Sequence, residues 1–134
     1  MVGAPRLRMR ANKLEDLLIY QKALEGIDAI SPLLGRPGLI RDFDLHKQLS
    51  ESCGSIPGHI GEGFGQGTDR HFAHYLAIAR GSALETRGHL AAARQRQHIS
   101  RDEEIAVSGL YQDLTDMLSG FIAHLRRSGR KNRR

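Results

Sequence analysis

Residues 68–96, TDRHFAHYLAIARGSALETRGHLAAARQR, decide the fold class of this chain. Apolar residues recur there at three- and four-residue steps, at Phe72, Tyr75, Leu76, Ala79, Ala83, Leu90 and Ala93. That spacing is typical of the apolar stripe of an amphipathic helix. Thr68 or Asp69 is suited to cap the free amides of the first turn. We therefore predict a helix here, the longest of the chain.

Three further segments show the same periodicity. The first has its stripe at Leu14, Leu17, Leu18, Tyr20, Ala23, Leu24, Ile27 and Ile30, and Ser31-Pro32 is expected to weaken or end it. After the turn-rich stretch GRPGLIRDFD, Asp44 is a plausible N-cap for a helix that carries Leu45, Leu49, Cys53, Ile56 and Ile60. The last helix opens with a capping box, Ser100 with Glu103, and its stripe comprises Ile105, Leu110, Leu114, Met117, Leu118, Phe121, Ile122 and Leu125.

These four helices predict an all-α fold. No segment alternates between apolar and polar residues with period two, and 134 residues suffice for one modest core. Short connections between amphipathic helices favour a helix bundle. We assign the bundle to residues 14–125, between a basic N-terminal arm at 1–13 and a basic C-terminal tail at 126–134.

Positive charge is concentrated in the two ends of the chain. Ten of the 20 Lys and Arg lie there, so residues 14–125 carry a net charge near −5. Flexible arginines can neutralise phosphates, which predicts nucleic-acid contacts, whereas the alternative is a pair of solubilising termini. The candidate nucleic-acid-binding residues are Arg6, Arg8, Arg10, Arg126, Arg127, Arg130, Lys131, Arg133 and Arg134.

The cellular setting is expected to be the cytoplasm. Cys53 is the only cysteine, and no charged leader precedes an apolar run with a cleavage site. No apolar run approaches the roughly 20 residues that cross a bilayer. We therefore expect neither a disulfide nor a membrane contact.

The glycine-rich stretch SIPGHIGEGFGQG, residues 55–67, raises the question of a ligand site. It lacks the lysine that a phosphate loop needs after its last glycine, and it lacks the preceding strand of a dinucleotide site. We interpret its glycines, together with Gly54 just before them, as places where a second helix approaches closely, and we expect the later ones to end this helix before Thr68 or Asp69 starts the next. Glu62 among them is expected to form an ion pair or hydrogen bonds with a neighbouring helix, for instance with Arg80 or Arg87, rather than to transfer protons, because an unpaired buried carboxylate is costly.

Enzymatic chemistry is not indicated. His59 and Glu62, and Glu85 and His89, have helical spacing, but bundle di-iron sites need two Glu-x-x-His motifs and two further glutamates. Neither Cys53 nor the serines lie in a nucleophile-elbow signature. We expect no catalytic residue, metal or cofactor.

The chain resembles the bacterial four-helix-bundle proteins encoded in intervening sequences of 23S ribosomal RNA genes. The resemblance rests on LEDLLIYQKAL, LHKQLSESCGSIPGHIGEGFGQG and HFAHYLAIARGSALET, across about residues 14–125. Its most specific matches are Ser55, Pro57, Glu62, Gly63, Arg80, Gly81, Ser82 and Glu85.

This resemblance implies an antiparallel up-and-down four-helix bundle and a ring-like homo-oligomer, a pentamer. A related branch includes the accessory protein of diversity-generating retroelements, which implies RNA or a reverse transcriptase as partners. The family's usual basic residues are replaced here by Ser50-Glu51 and Gln66, and Asn-Ile-Ala-Glu-Gly is replaced by residues 59–63, HIGEG. These replacements argue against RNA contacts through the bundle face and leave contacts through the ends open.

The connection between the first two long helices independently suggests self-association. Its apolar residues, Leu33, Leu34, Leu39, Ile40 and Phe43, mark either a protein contact or a loop folded over its own bundle. Two functions follow: a homo-oligomeric RNA-associated accessory protein, or a protein–protein scaffold without a nucleic-acid role.

Overall fold

The structure, a computed structural model, describes residues 13–132, with side chains described through Gly129. A short 3₁₀ turn at Leu14–Asp16 precedes five α-helices. They are α1 (Leu18–Leu34), α2 (Pro37–Arg41), α3 (Phe43–Phe64), α4 (Asp69–Gln95) and α5 (Arg101–Asn132). The prediction of an all-α chain is confirmed, and residues 13–132 contain no strand.

Two helix starts agree with their predicted caps. The Thr68 hydroxyl accepts a hydrogen bond from the backbone N–H of His71 at 3.2 Å, which satisfies one free amide of α4. At α5 the backbone N–H of Ser100 donates to Glu103 Oε1 at 2.9 Å, and the Glu103 N–H donates to Ser100 Oγ at 3.1 Å. The capping box is therefore confirmed.

Other boundaries differ from the prediction. Helix α2 occupies part of the predicted turn, because Pro37 suits a first helical position and Leu39 becomes fully buried. Helix α1 continues through Pro32 to Leu34, and burial of Leu33 accompanies the extra turn. Asp42, not Asp44, occupies the N-cap position of α3.

The longest helix is α5, with 32 residues against 27 in α4. The prediction that α4 is longest was therefore wrong. No proline interrupts α5, and its helical backbone continues from residue 126 to Asn132, a segment that the sequence analysis assigned to the basic tail.

The core lies between the four long helices. Helix α4 packs against α3 and α5, and α1 packs against the same two helices. The predicted apolar stripe of α3 is entirely buried, and Tyr111 and Phe72 are the largest fully buried side chains. Burial of each large apolar side chain contributes about 1.5–3 kcal/mol.

Three residues predicted for the core are exposed. Leu18 is 68% exposed, Ile105 is 57% exposed and Leu24 is 40% exposed, while Ile19 and Val107 are buried. Leu18 and Ile105 lie at the start of a helix, where a small error in the start position rotates the predicted stripe away from the core.

Candidate functional surfaces

The eight residues that match the family most specifically are called the family-motif residues here. Two of them, Ser55 and Ser82, meet across the α3–α4 interface. Ser55 Oγ donates to Ser82 Oγ at 3.1 Å. One turn further along, Thr86 Oγ1 lies 2.8 Å from the Ser82 carbonyl oxygen and 2.9 Å from Ser52 Oγ. These four residues form a cluster of small hydroxyl side chains that hydrogen-bonds two closely packed helices.

Gly63 allows the other close approach between these helices. A Cβ at position 63 would lie 2.8 Å from Phe72 Cδ1 and 2.9 Å from Tyr75 Cβ. The interpretation of the glycine-rich stretch is therefore correct at this position. It is wrong at Gly54 and Gly58, where a Cβ would meet no described residue within 4 Å beyond its own turn of helix.

Pro57 lies inside α3, which runs from Phe43 to Phe64 without interruption. Its side chain is half-buried. The carbonyl of Cys53, four residues earlier, loses its usual helical donor there, because proline has no N–H.

Glu62 does not form the ion pair predicted for it. The side chain of Glu62 is exposed. Arg80 donates instead to Ser119 Oγ at 3.2 Å, and Arg87 donates to Ser108 Oγ at 3.1 Å and also to Gln112. Because exposure removes the cost of an unpaired carboxylate, Glu62 needs no arginine.

Gly81 and Glu85, the remaining motif residues, are exposed on α4. Glu85 Oε2 lies 3.7 Å from His89 Nε2. A Cβ at Gly81 would have no described heavy atom within 4 Å apart from its own turn. The motif therefore divides into residues that join helices and residues that face outward.

Three of the four arginines of α4 are held within the molecule, whereas Arg70 is exposed in its first turn. Arg80, Arg87 and Arg94 all reach α5, and Arg94 Nε lies 2.5 Å from Glu104 Oε1. Such an arrangement leaves these guanidinium groups less available to a phosphate ligand than a freely exposed arginine.

The candidate nucleic-acid-binding residues at the C-terminus are described in part. Arg126 and Arg127 are exposed, and the backbone of residues 130 and 131 continues the helix one turn further. The remaining candidates lie outside the described residues: Arg6, Arg8, Arg10, Arg133 and Arg134.

Two titratable side chains, Cys53 and Tyr111, lie in the hydrophobic core. Cys53 is buried, and this burial raises the pKa of its thiol. Burial likewise raises the pKa of the Tyr111 hydroxyl. Within residues 13–129, no three His, Cys, Asp or Glu side chains are grouped as metal ligands.

A polar cluster that the sequence analysis missed joins α2 to the α4–α5 connection. Asp42 Oδ2 accepts hydrogen bonds from Arg96 Nη1 and from His98 Nε2, each at 2.9 Å. These two donors lower the pKa of the Asp42 carboxyl. Arg36 pairs with Glu103 beside them. No local signal relates residues 42 and 98, because 56 positions separate them.

In the described part of the chain, no helix is long and apolar enough to span a membrane. This finding agrees with the composition of the two longest helices, which carry charged residues along their length.

Comparisons with known proteins bear on this architecture. The family model described as 23S rRNA-intervening sequence protein matches residues 15–120. The chain is also similar to a crystal structure at 1.70 Å resolution of a protein with unknown function from the S23 ribosomal protein family of Bacteroides thetaiotaomicron. The TM-score is 0.72 at 22% identity, over 78% of this chain and 98% of the other. A search of curated proteins found no match.

Proposed function

Because the chain belongs to the 23S rRNA-intervening sequence protein family, we propose that it is a non-enzymatic, homo-oligomeric helical bundle that associates with RNA or with an RNA-handling complex. The proposed architecture is an antiparallel up-and-down four-helix bundle of α1, α3, α4 and α5. The contacts between α4 and α5 support it, because they run in opposite directions along the two helices. Arg80 contacts Ser119, whereas Arg87, further along α4, contacts Ser108, which lies earlier in α5.

The observation that carries RNA association is the exposed basic end of α5. Arg126 and Arg127 are exposed there, and the helical backbone continues through Asn132. Arginine binds phosphate with several donors at once, and each phosphate contact releases condensed counterions. Arg80, Arg87 and Arg94 of α4, in contrast, make contacts with α5. The end of α5 is therefore the better candidate for phosphate contacts.

A titration monitored by fluorescence anisotropy tests this proposal, with a structured RNA and a duplex DNA of matched length at low and physiological salt. We expect binding that prefers RNA and persists at physiological salt. The double variant Arg126→Gln/Arg127→Gln should weaken binding. It should also reduce the slope of log affinity against log salt by about one for each phosphate that the variant no longer neutralises.

Arg101→Gln is the matched control, because Arg101 is exposed at the opposite end of the same helix. It should leave RNA affinity and salt slope unchanged. A loss of affinity per charge removed that is as large in the control as in the double variant would mean that only net charge matters. Binding that is absent, or that vanishes with salt equally for RNA and DNA, would contradict RNA association.

The second candidate function is a protein–protein scaffold without a nucleic-acid role. The observation that favours it is the exposed apolar surface of α4, where Leu84 is 50% exposed and Ile78 is 38% exposed. Recovery of a defined protein complex together with the failure of the RNA titration would select this function.

A further inference from the structure

The outward side of α4 is unusually apolar for a helix at a molecular surface. Between residues 77 and 92 the exposed positions are Ile78, Gly81, Leu84, Glu85 and Gly88, which we call the α4 face. Only one of the five is charged. A helix with water on its outer side ordinarily carries charged and polar residues there, so this composition indicates that another surface covers it.

The two glycines of the α4 face have no packing role inside the chain. A Cβ at Gly81 or at Gly88 would meet no described heavy atom within 4 Å beyond its own turn. Each glycine costs a helix interior up to about 1 kcal/mol relative to alanine. They lie about one turn before and one turn after Leu84. Because glycine has no side chain, the helix surface has a shallow depression on each side of Leu84.

A second exposed apolar surface lies at the junction of α2 and α3. Ile40 is 56% exposed and Phe43 is 71% exposed, and Arg41 and Lys47 beside them are exposed as well. We call these four residues the Ile40–Phe43 patch. The apolar connection between the first two long helices therefore has both buried and exposed residues. Leu33 and Leu39 are buried, whereas the patch faces outward.

Firm anchoring holds this patch in place. Leu39, between Gly38 and Ile40, is fully buried. Asp42, between Arg41 and Phe43, accepts hydrogen bonds from Arg96 and His98. Two large apolar side chains thus project from a short segment that is fixed to the bundle on both sides, which lowers the entropic cost of binding through them.

We propose that the Ile40–Phe43 patch of one copy packs on the α4 face of a second copy of this chain. The two surfaces are complementary in shape, because the patch has projecting side chains where the α4 face has open glycines. They are also complementary in charge: Arg41 and Lys47 outnumber the neighbouring Asp44, and the α4 face contributes Glu85. This inference rests on the proposed homo-oligomerisation and names its contact surfaces.

Charge also argues against other occupants of the α4 face. Packing the face on itself around Leu84 would bring Glu85 of both copies close together, and like charges at an interface are unfavourable. RNA is a poor occupant, because no Lys or Arg is exposed between residues 77 and 92. A contact between two different surfaces of the same chain is head-to-tail, and such contacts build rings or filaments.

The first experiment measures the mass of the full chain in solution by size-exclusion chromatography with light scattering. The wild type should be an oligomer. Phe43→Ser and Gly81→Gln should each have the mass of one chain. Gly81→Gln replaces a helix-interior glycine by a better helix former, so loss of the oligomer in that variant is not explained by unfolding. Circular dichroism checks that both variants stay helical.

Two controls match these variants. Gly120→Gln changes an exposed glycine of α5 that, like Gly81, has no described atom within 4 Å of its Cβ position beyond its own turn. Ile105→Ser removes another exposed apolar side chain outside both surfaces. Both controls should keep the wild-type mass. A loss of the oligomer in the controls as large as in the test variants would contradict the assignment.

Mixing the two single-chain variants gives the decisive result. Phe43→Ser retains an intact α4 face, and Gly81→Gln retains an intact Ile40–Phe43 patch. A head-to-tail contact predicts that the mixture forms a dimer of one copy of each, although neither variant associates alone. A monomeric wild type, a variant that keeps the wild-type mass, or a mixture that stays monomeric would overturn the proposal. The anisotropy titration on the arginine variants fails or succeeds independently of these masses.

Discussion

Gly26 of α1 lies directly against the hydroxyl end of Tyr111 on α5. A Cβ at position 26 would lie 2.5 Å from the Tyr111 oxygen and 2.6 Å from the ring carbon that bears it. Tyr111 is fully buried, so any movement of its ring away from position 26 would disturb neighbouring core side chains. The distance between α1 and α5 therefore depends on the absence of a side chain at position 26.

Gly26→Ala should destabilise the protein by about 1–3 kcal/mol, because the added methyl group overpacks the contact with Tyr111. The expected measurement is a lower midpoint of urea unfolding. Gly58→Ala is the matched control, since a Cβ at that position meets no described atom within 4 Å beyond its own turn and alanine favours a helix by up to about 1 kcal/mol. If both variants are stabilised, the contact with Tyr111 is not tight.

Tyr111→Phe should raise the free energy of unfolding by about 1 kcal/mol, because a buried hydroxyl without a partner is costly. No described protein atom hydrogen-bonds to the Tyr111 hydroxyl. Removing the hydroxyl should also relieve the steric overlap that Gly26→Ala creates. The double variant should therefore be more stable than the sum of the two single changes predicts. Additive effects in this double-mutant cycle would argue against direct contact.

Asp42 should make folding stability depend on acid pH. Hydrogen bonds from Arg96 and His98 lower the pKa of its carboxyl in the folded state. Stability from such a group is fully present above the unfolded pKa and is lost as the pH falls through the folded pKa. Asp42→Asn should therefore be less stable than the wild type near neutral pH, with a smaller difference at about pH 3.

Urea unfolding at the two pH values measures this dependence, and exposed Asp44→Asn is the matched control. A difference between wild type and Asp42→Asn that does not change with pH would contradict the pKa assignment. Some acid dependence should persist in Asp42→Asn, because a hydrogen bond from the Ser100 backbone and Arg36 lower the pKa of Glu103 as well.

Gln97→Gly should stabilise the protein by about 1 kcal/mol, since only glycine adopts a left-handed backbone without steric cost. Gln97 has a φ of 65°. It ends α4 with two hydrogen bonds, from its own N–H to Arg94 O and from His98 N to Ala93 O, both at 2.9 Å. Gln95→Gly, two residues earlier and inside the helix, should lower stability. The midpoint temperature of thermal unfolding should rise in Gln97→Gly and fall in Gln95→Gly.

The family-motif residues were recognisable in the sequence, but their roles were not. Ser55 and Ser82 bond across two helices, Gly63 admits Phe72, and Gly81 faces outward. Exposure separates these roles, and exposure depends on which side of each helix meets its neighbours. The expected pairing of Glu62 with an arginine was wrong for the same reason, because periodicity alone did not show that Glu62 lies on the outer side.

Local sequence signals were enough to predict the all-α class, the capping box of α5, the Thr68 cap and the buried stripe of α3. Helical periodicity and capping depend on residues three or four positions apart, so they can be read locally. The contact of Gly26 with Tyr111, the hydrogen bond between Asp42 and His98, and the exposure of Ile40 and Phe43 follow from the folded arrangement of the helices. Those relationships join residues far apart in the chain, because the packing of whole helices brings them together or keeps them apart.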